Sequence, residues 1–227
     1  MLQFYLDDTE EFTVQNRRKI NAKKTKVISF NKSRKFDFPP EVQFSDQQNL
    51  LVVPDLKLVG VVLSDDLKWQ KNTEYICERA RQKLWTLRKI KKHNLDLFKI
   101  FDVYTKEVRS LLELGVPVWH SSLTKQQSAQ IERIQKAALH IILEESYTTY
   151  EVACTIFGVE PLEYRREQLC INFAKKDVKR DATLFTKNTA TVNTRTEKPR
   201  VREITCRTKR YQKSSLPYLS KLLNKQH

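Results

Sequence analysis

The spacing of apolar residues changes near Trp69, and the change divides the chain into two kinds of structure. Before Trp69, apolar residues on a loose helical period from Leu2 to Phe12 predict a first helix that ends near Asn16. Short runs rich in β-branched and aromatic residues follow, and they predict strands. These runs are Thr25–Phe30, Val42–Phe44, Leu50–Val53 and Leu56–Leu63.

After Trp69 the apolar residues recur every three or four positions, which predicts a series of helices. The predicted core faces are Ile76, Ala80, Leu84, Leu87 and Ile90; Leu97, Ile100, Phe101, Tyr104, Val108, Leu111 and Leu112; Ile131, Ile134, Ala138 and Ile141; and Leu162, Leu169 and Phe173. The helix start signals are the capping-box pairs Thr124 with Gln127 and Thr148 with Glu151, and Pro161 in a first turn. A late apolar patch, Leu216–Leu219 with Leu222 and Leu223, predicts a short helix that docks.

Together these elements predict an α+β fold class with four segments. Residues 1–64 hold a helix and a small sheet, residues 65–145 a mostly α-helical bundle, and residues 146–178 a helical connector. Residues 179–227 form a basic, partly disordered tail, because the hydrophobic period fades there into Thr, Asn, Lys and Arg.

The positive charge of the chain is concentrated in this tail. The formal net charge is +15, and residues 179–227 hold 13 Lys and Arg against 3 Asp and Glu, a net of +10. Such a segment attracts polyanions, among them nucleic acid and anionic lipid, without selecting one. The chain has only 3 glycines, and they lie far apart. Glycine-rich loops that cradle nucleotide phosphates are therefore disfavoured.

Cysteine and histidine spacing argues against a metal site. The 4 cysteines form no C-x-x-C pair, and the 4 histidines match no metal-ligand motif. We expect no cofactor, and cysteines that are core thiols of an intracellular protein of the nucleus or cytoplasm. No stretch approaches the ~20 apolar residues of a membrane span, so no membrane partner is expected. The acidic first residues do not resemble a targeting peptide.

Two acidic pairs invite a metal-binding interpretation. Tyr5–Asp8 spells Y-x-D-D, the metal-binding signature of reverse transcriptases. Too few apolar residues flank it for a strand on each side, so an exposed, acid-rich helical turn is favoured and no catalytic residue is assigned. Asp65–Asp66, next to Ser64, more simply begins a helix than binds a cation.

A basic turn closes the first helix after Trp69. Its cations are Arg88, Lys89, Lys91 and Lys92. Interaction with the helix dipole and contact with nucleic acid explain this turn about equally well. Farther along, Glu113 is predicted to be a charged cap or an ion-pair partner.

Several runs, taken together and in order, resemble the reverse transcriptases of non-LTR retrotransposons of the Jockey and CR1 kinds. Asn21–Phe30 resembles their N-x-x-K-T-x-x-x-x-F segment, and Lys57–Leu63 with Asp66–Trp69 resembles their primer-grip region. Tyr104–His120 and Ile131–Lys136 resemble two helices of the thumb. The other similar runs are Arg165–Arg166, Arg210–Tyr211 and Leu216–Tyr218. Nearly the whole chain is covered.

The resemblance implies a palm remnant in residues 1–64, a thumb in residues 65–145, and a chain that begins downstream of the polymerase metal site. It implies an RNA–DNA template–primer as partner and no polymerase activity of the chain alone. Lys24 is implied to lie near an incoming nucleotide, Gly60 to let the backbone approach closely, and Trp69 to close the junction of palm and thumb. A purely structural role for these three residues is an equal alternative.

A second similarity covers a shorter stretch. Residues 66–119 are also similar to a small module at the N-terminus of AlkB-type tRNA-modifying proteins, which combine an iron dioxygenase with a methyltransferase. This resemblance implies an accessory module without catalytic residues of its own. The two interpretations differ in the expected partner, because the second predicts a preference for tRNA.

Overall fold

The computed structural model describes residues 2–30, 42–44, 49–93, 95–179, 184–185 and 201–225. Contacts divide the chain into two compact units, residues 1–71 and 72–227. The fold is α+β, with short strands in the first unit and a helical bundle in the second, as predicted.

The first unit is built from one helix and two small sheets. Helix α1 spans Leu2–Gln15, and strands β1 (Lys26–Val27) and β2 (Leu51–Val52) pair in parallel. Their core consists of Val42, Phe44 and Leu50, with Leu6, Ile20, Ala22 and Val27 packed against it. The predicted first helix is confirmed, and the Y-x-D-D residues lie within it, with Asp7 and Asp8 exposed.

A hairpin follows where one continuous run was predicted to be a strand. Strand β3 (Asp55–Leu58) pairs antiparallel with β4 (Val61–Ser64), and Leu58 faces Val61 across a two-residue turn. Both turn residues have positive φ, +48° at Val59 and +86° at Gly60. Positive φ at both positions matches the twist of a two-residue hairpin, and glycine adopts it without strain. The prediction of a single strand over Leu56–Leu63 was therefore wrong.

The acidic pair after β4 closes a turn and does not begin a helix. The Asp66 carboxylate accepts a hydrogen bond from the Ser64 hydroxyl at 2.8 Å and another from the Lys68 backbone N–H at 3.0 Å. The Lys68 N–H, as the main cause, lowers the pKa of Asp66. The next helix begins only at Gln70, so the prediction that Asp65–Asp66 begins it was wrong.

The second unit consists of helices joined by short connections. These helices are α2 (Gln70–Lys91, which begins at the end of the first unit), α3 (Leu97–Val103), α4 (Ser110–Glu113), α5 (Val116–Trp119), α6 (Lys125–Leu143), α7 (Tyr150–Phe157), α8 (Leu162–Lys179), α9 (Lys209–Gln212) and α10 (Ser215–Lys225). Short 3₁₀ turns cover His120–Ser122 and Glu144–Ser146.

A π-helical turn, Tyr104–Arg109, joins α3 to α4 without a break. Ile100, Tyr104, Val108 and Leu112 follow one another at four-residue intervals, and each is fully buried. In a regular α-helix, side chains four residues apart shift steadily around the helix axis, because one turn takes only 3.6 residues. The wider π turn offsets this shift and keeps the four side chains on one face. The predicted helix is confirmed, and its core face depends on the π turn.

The start of α6 follows its sequence signal closely. The Thr124 hydroxyl accepts from the Gln127 N–H, and the Gln127 side chain accepts from the Thr124 N–H, which completes the predicted capping box. Helix α7 is capped by Thr149, whose hydroxyl accepts from the Val152 N–H, so the prediction of Thr148 as its cap was wrong by one residue.

All but one of the residues predicted for core faces after Trp69 are buried or, like Ile141, partly buried. The exception is Phe173, which is 41% exposed. The buried residues of α8 are Leu162, Arg166, Cys170, Ile171 and Ala174. Cys77, Cys154 and Cys170 are buried free thiols, as predicted, whereas Cys206 is a free thiol that is only partly buried.

The last described helix docks onto the bundle. Pro217, Leu219, Leu222 and Leu223 of α10 are buried, and this helix packs mainly against α8. The short docking helix predicted from the late apolar patch is confirmed. Residues 186–200 of the predicted tail lie outside the described residues.

Candidate nucleic-acid interface

The C-terminal end of α2 carries exposed cations beside an exposed aromatic ring. Arg88, Lys89 and Lys92 are exposed, and the indole of Trp85 is 56% exposed. The Lys89 ammonium lies 3.7 Å from the centre of the Trp85 ring, a cation–π contact between residues one helical turn apart. We call Trp85, Arg88, Lys89 and Lys92 the basic end of α2.

Lys91 belongs to the same predicted basic turn, but its ammonium is used inside the bundle. It donates a hydrogen bond to the Ile142 carbonyl at 2.8 Å and lies 3.8 Å from the Glu144 carboxylate. Its side chain is only 18% exposed. Lys91 therefore satisfies a carbonyl at the C-terminal end of α6, a place where helices leave carbonyls unpaired.

Lys24 lies in a second cationic stretch, in the first unit. Between residues 17 and 26 the chain carries Arg17, Arg18, Lys19, Lys23, Lys24 and Lys26 and no acidic residue, and all six are exposed. The backbone N–H of Lys24 donates to the Asn21 carbonyl and to its side-chain oxygen, at 3.0 and 3.2 Å. This turn accounts for the N-x-x-K-T spacing. Asn21 accepts the hydrogen bonds that close the turn, and Lys24, three residues later, is exposed.

Gly60 and Trp69, the two remaining predicted residues, occupy positions with clear conformational roles. Gly60 is the second residue of the β3–β4 turn, where its φ of +86° favours glycine. Trp69 is 6% exposed and also has a positive φ, +63°, immediately before α2 begins. The structure thus groups Arg88, Lys89, Lys91 and Lys92 at one helix end, while Lys24, Gly60 and Trp69 lie in the other unit.

A buried polar network in the second unit was not predicted from the sequence. The Tyr104 hydroxyl donates to Gln135 Oε1 at 2.7 Å, and Gln135 Nε2 donates to the Tyr150 hydroxyl at 2.7 Å and to the Glu160 carbonyl at 3.0 Å. The Tyr150 hydroxyl donates in turn to Glu132. Burial is the main cause that raises the pKa of Tyr104 and of Tyr150, so both phenols are neutral.

Glu132 also positions a neighbouring helix. Its Oε1 accepts from the Leu162 backbone N–H at 3.0 Å, at the start of α8. A carboxylate at this place satisfies an unpaired N–H and interacts favourably with the helix dipole. The Glu132 carboxylate is thus an N-terminal cap supplied by another helix.

Arg166 is the most unusual residue of the second unit, because it is fully buried without a hydrogen bond to a carboxylate among the described residues. Its Nη2 donates to the Ser128 hydroxyl at 2.6 Å and its Nε to His120 Nδ1 at 3.4 Å. Within the described part of the chain, Nη1 has no hydrogen-bond partner. Burial lowers the pKa of His120 to about 4, and the Arg166 charge adds to this effect, so His120 is a neutral acceptor.

A nearby ion-pair group is conventional by comparison. The Glu113 carboxylate forms ion pairs with two arginines. It accepts from Nε and, at 3.1 Å, from Nη2 of Arg165, and it lies 3.4 Å from Nε of Arg109. Glu113 was predicted to be a cap or an ion-pair partner, and it is the latter.

One sequence signal could have indicated that Arg166 is buried, since it lies four residues from both Leu162 and Cys170 on the buried face of α8.

Three searches gave negative results. Among the residues that the structure describes, no group of three or more His, Cys, Asp or Glu is placed to hold a metal ion. None of the described helices combines the length and apolarity needed to cross a membrane. No protein-family model matches the sequence, and no curated protein or solved structure is detectably similar to it.

Proposed function

We propose that this chain binds nucleic acid through its phosphates, as the palm-edge and thumb part of a reverse transcriptase of the non-LTR retrotransposon kind. The observation that carries the proposal is the basic end of α2, where Lys89 stands over the exposed ring of Trp85. The expected partner is an RNA–DNA template–primer.

An exposed tryptophan among cations suits nucleic acid for two physical reasons. Lys and Arg neutralise phosphates and release counterions, and an aromatic ring offers a stacking platform for an unpaired base. An exposed cation–π contact contributes only about 0.5–1 kcal/mol, so it does not by itself offset the exposure of a large indole. Arg88 and Lys92, three and seven residues after Trp85 of α2, are exposed to solvent.

The cationic stretch of the first unit supports the same proposal. Six exposed cations within residues 17–26, with no acid among them, create a positive potential that a polyanion would screen. We propose binding and no catalysis by the chain alone, since Asp7 and Asp8 lie exposed on α1 and not at the tip of a hairpin.

The test is a titration of the full chain with labelled RNA–DNA primer–template, duplex DNA and tRNA at two salt concentrations. We expect tighter binding of the primer–template and affinities that fall steeply with salt, because each phosphate contact contributes about −0.9 to the slope of log K against log salt. A preference for tRNA would contradict the template–primer proposal and favour the accessory-module interpretation. Absence of binding to all three would overturn both.

Charge-removing variants locate the interface. The triple variant R88Q/K89Q/K92Q should lower the magnitude of the salt slope by about 3 if each cation contacts one phosphate. R79Q is the matched control, because Arg79 lies on the same helix, is exposed, and contacts the Tyr75 ring at 5.7 Å in a similar pair. A loss in R79Q of about one third of that in the triple variant would show that only overall charge acts.

A further inference from the structure

A cleft of 470 Å³ runs along α6 and reaches the starts of α7 and α8. Cations dominate its lining, with Lys125, Arg133 and Lys136 from α6, while Ser128 also faces it. Two carboxylates, Glu132 and Glu163, line it as well. Both carboxylates oppose an anion in the cleft, although Glu132 also accepts hydrogen bonds from Tyr150 and from the N–H of Leu162.

Directly behind Ser128 lies the buried guanidinium of Arg166. It is connected to the cleft by one hydrogen bond, from its Nη2 to the Ser128 hydroxyl oxygen at 2.6 Å. The other acceptor that it contacts, His120, is neutral, and its Nη1 has no partner among the described residues. Burial lowers the pKa of Arg166 more than the charges of Glu132 and Glu163 raise it. These carboxylates therefore compensate the buried cation only in part, and a further anion would relieve the remaining cost.

Ser128 can transmit the charge of Arg166 to such an anion. A hydroxyl group has one hydrogen to donate and two lone pairs that accept. Because Arg166 donates to the oxygen, the hydroxyl hydrogen is left to donate to another acceptor, and the arginine charge polarises the O–H bond. Lys125 lies one helical turn before Ser128 on the same face of α6, and Arg133 also lines the cleft; both are exposed.

We propose that this cleft binds a phosphate group, with the Ser128 hydroxyl as hydrogen-bond donor, Lys125 and Arg133 as the exposed cations, and Arg166 as the buried charge behind them. The site is independent of the basic end of α2 and does not rest on the proposed function. The phosphate belongs either to a free ion or monoester or to a polynucleotide backbone, and the two sources share this chemistry.

The test uses the full chain and inorganic phosphate, with binding followed by phosphorus NMR line broadening and by the shift of the melting temperature. We expect saturable binding with a Kd of about 1 mM, which stabilises the second unit by mass action. The role of Ser128 as hydrogen-bond donor is tested by S128A. This variant should bind phosphate about tenfold more weakly, as expected for loss of one hydrogen bond to a charged group. R133Q should weaken binding at least about threefold.

Two controls make the result specific. E163Q removes one of the two opposing carboxylates and should tighten phosphate binding about threefold, whereas R79Q, which removes an exposed arginine from α2, should leave it unchanged. Circular dichroism of each variant confirms that the helices are retained. No saturable binding up to about 20 mM phosphate, or equal affinity in S128A and the parent chain, would overturn the proposal.

A competition experiment distinguishes the two sources of phosphate. Excess duplex DNA without terminal phosphates is added to the phosphate-bound chain. Displacement of the ion would assign the site to backbone phosphate, and continued binding would assign it to a free phosphate or monoester. Either result supports the site, and neither depends on the α2 variants, so the two proposals can fail separately.

Discussion

Gln135 offers the sharpest test of how the second unit is held together. Its side chain has no exposed surface and makes three hydrogen bonds, to Tyr104, Tyr150 and the Glu160 carbonyl. The substitution Gln135→Met keeps the length and approximate volume of the side chain but removes the donor and the acceptor. The Tyr104 hydroxyl, in a fully buried side chain, is then left without its acceptor.

The expected destabilisation follows from these contacts. An unsatisfied buried hydroxyl costs about 1–3 kcal/mol, and each lost hydrogen bond removes about 0.5–1.5 kcal/mol. Burial of the more apolar methionine offsets about 1 kcal/mol. Water can reach the Glu160 carbonyl, since Glu160 is exposed. With the two tyrosine bonds counted, we therefore expect Q135M to lower the free energy of unfolding by about 1–5 kcal/mol.

A double-mutant cycle with Tyr104→Phe isolates the buried pair. Y104F alone should cost about 1–2 kcal/mol, because it leaves Gln135 Oε1 without a donor. In Y104F/Q135M neither partner is left unpaired, so the double variant should lose about 1–2 kcal/mol less than the sum of the single variants. Additive losses, or a loss below about 1 kcal/mol in Q135M, would refute this account of the network.

Urea unfolding followed by far-UV circular dichroism measures these differences. The signal reports mainly the second unit, which carries most of the helices. Because the chain has two compact units, the curves are fitted with separate transitions and only the main helical one is compared. An unchanged denaturant dependence among the variants confirms that midpoints can be compared directly.

Three further outcomes are expected. Lys91→Met should lower stability by about 1–2 kcal/mol in a urea titration, because the Ile142 carbonyl loses its donor, yet leave nucleic-acid affinity closer to that of the parent than Lys89→Gln does. Gly158→Ala should cost about 1 kcal/mol in the same assay, purely from its φ of +60°, since a Cβ there meets no atom within 4 Å. Stability should fall between pH 6.5 and about 4, because the unfolded chain protonates His120 while burial keeps the folded imidazole neutral; H120Q should flatten that part of the pH profile.

Local sequence signals predicted most of the helices and some of their ends. The capping box at Thr124 and Gln127 needs only residues three apart, so it formed as predicted. The same kind of signal placed the cap of α7 at Thr148, whereas the structure uses Thr149, whose backbone is extended and whose hydroxyl accepts from the Val152 N–H. Adjacent alternatives of this kind cannot be separated by pattern alone.

Within the candidate interface, the sequence located the cations but not their partners. Four basic residues at the end of α2 are equivalent by charge, yet Lys91 is bonded to a carbonyl 51 positions away and Lys89 to the ring of Trp85. Which lysine remains available depends on where the end of α6 packs. The resemblance to reverse transcriptases stays a prediction that the proposed titration addresses.

By itself, the sequence determined the division into a strand-containing part and a helical part, the helical periods, the docking helix near the C-terminal end and the concentration of positive charge. These features depend on short-range spacing and composition, which act before any tertiary contact forms. Tertiary structure alone decided that Gln135 bridges two tyrosines and that Arg166 is buried behind Ser128. Polar residues on a buried face acquire their partners from helices distant in sequence, and the energy of such a group depends on whether that partner is present.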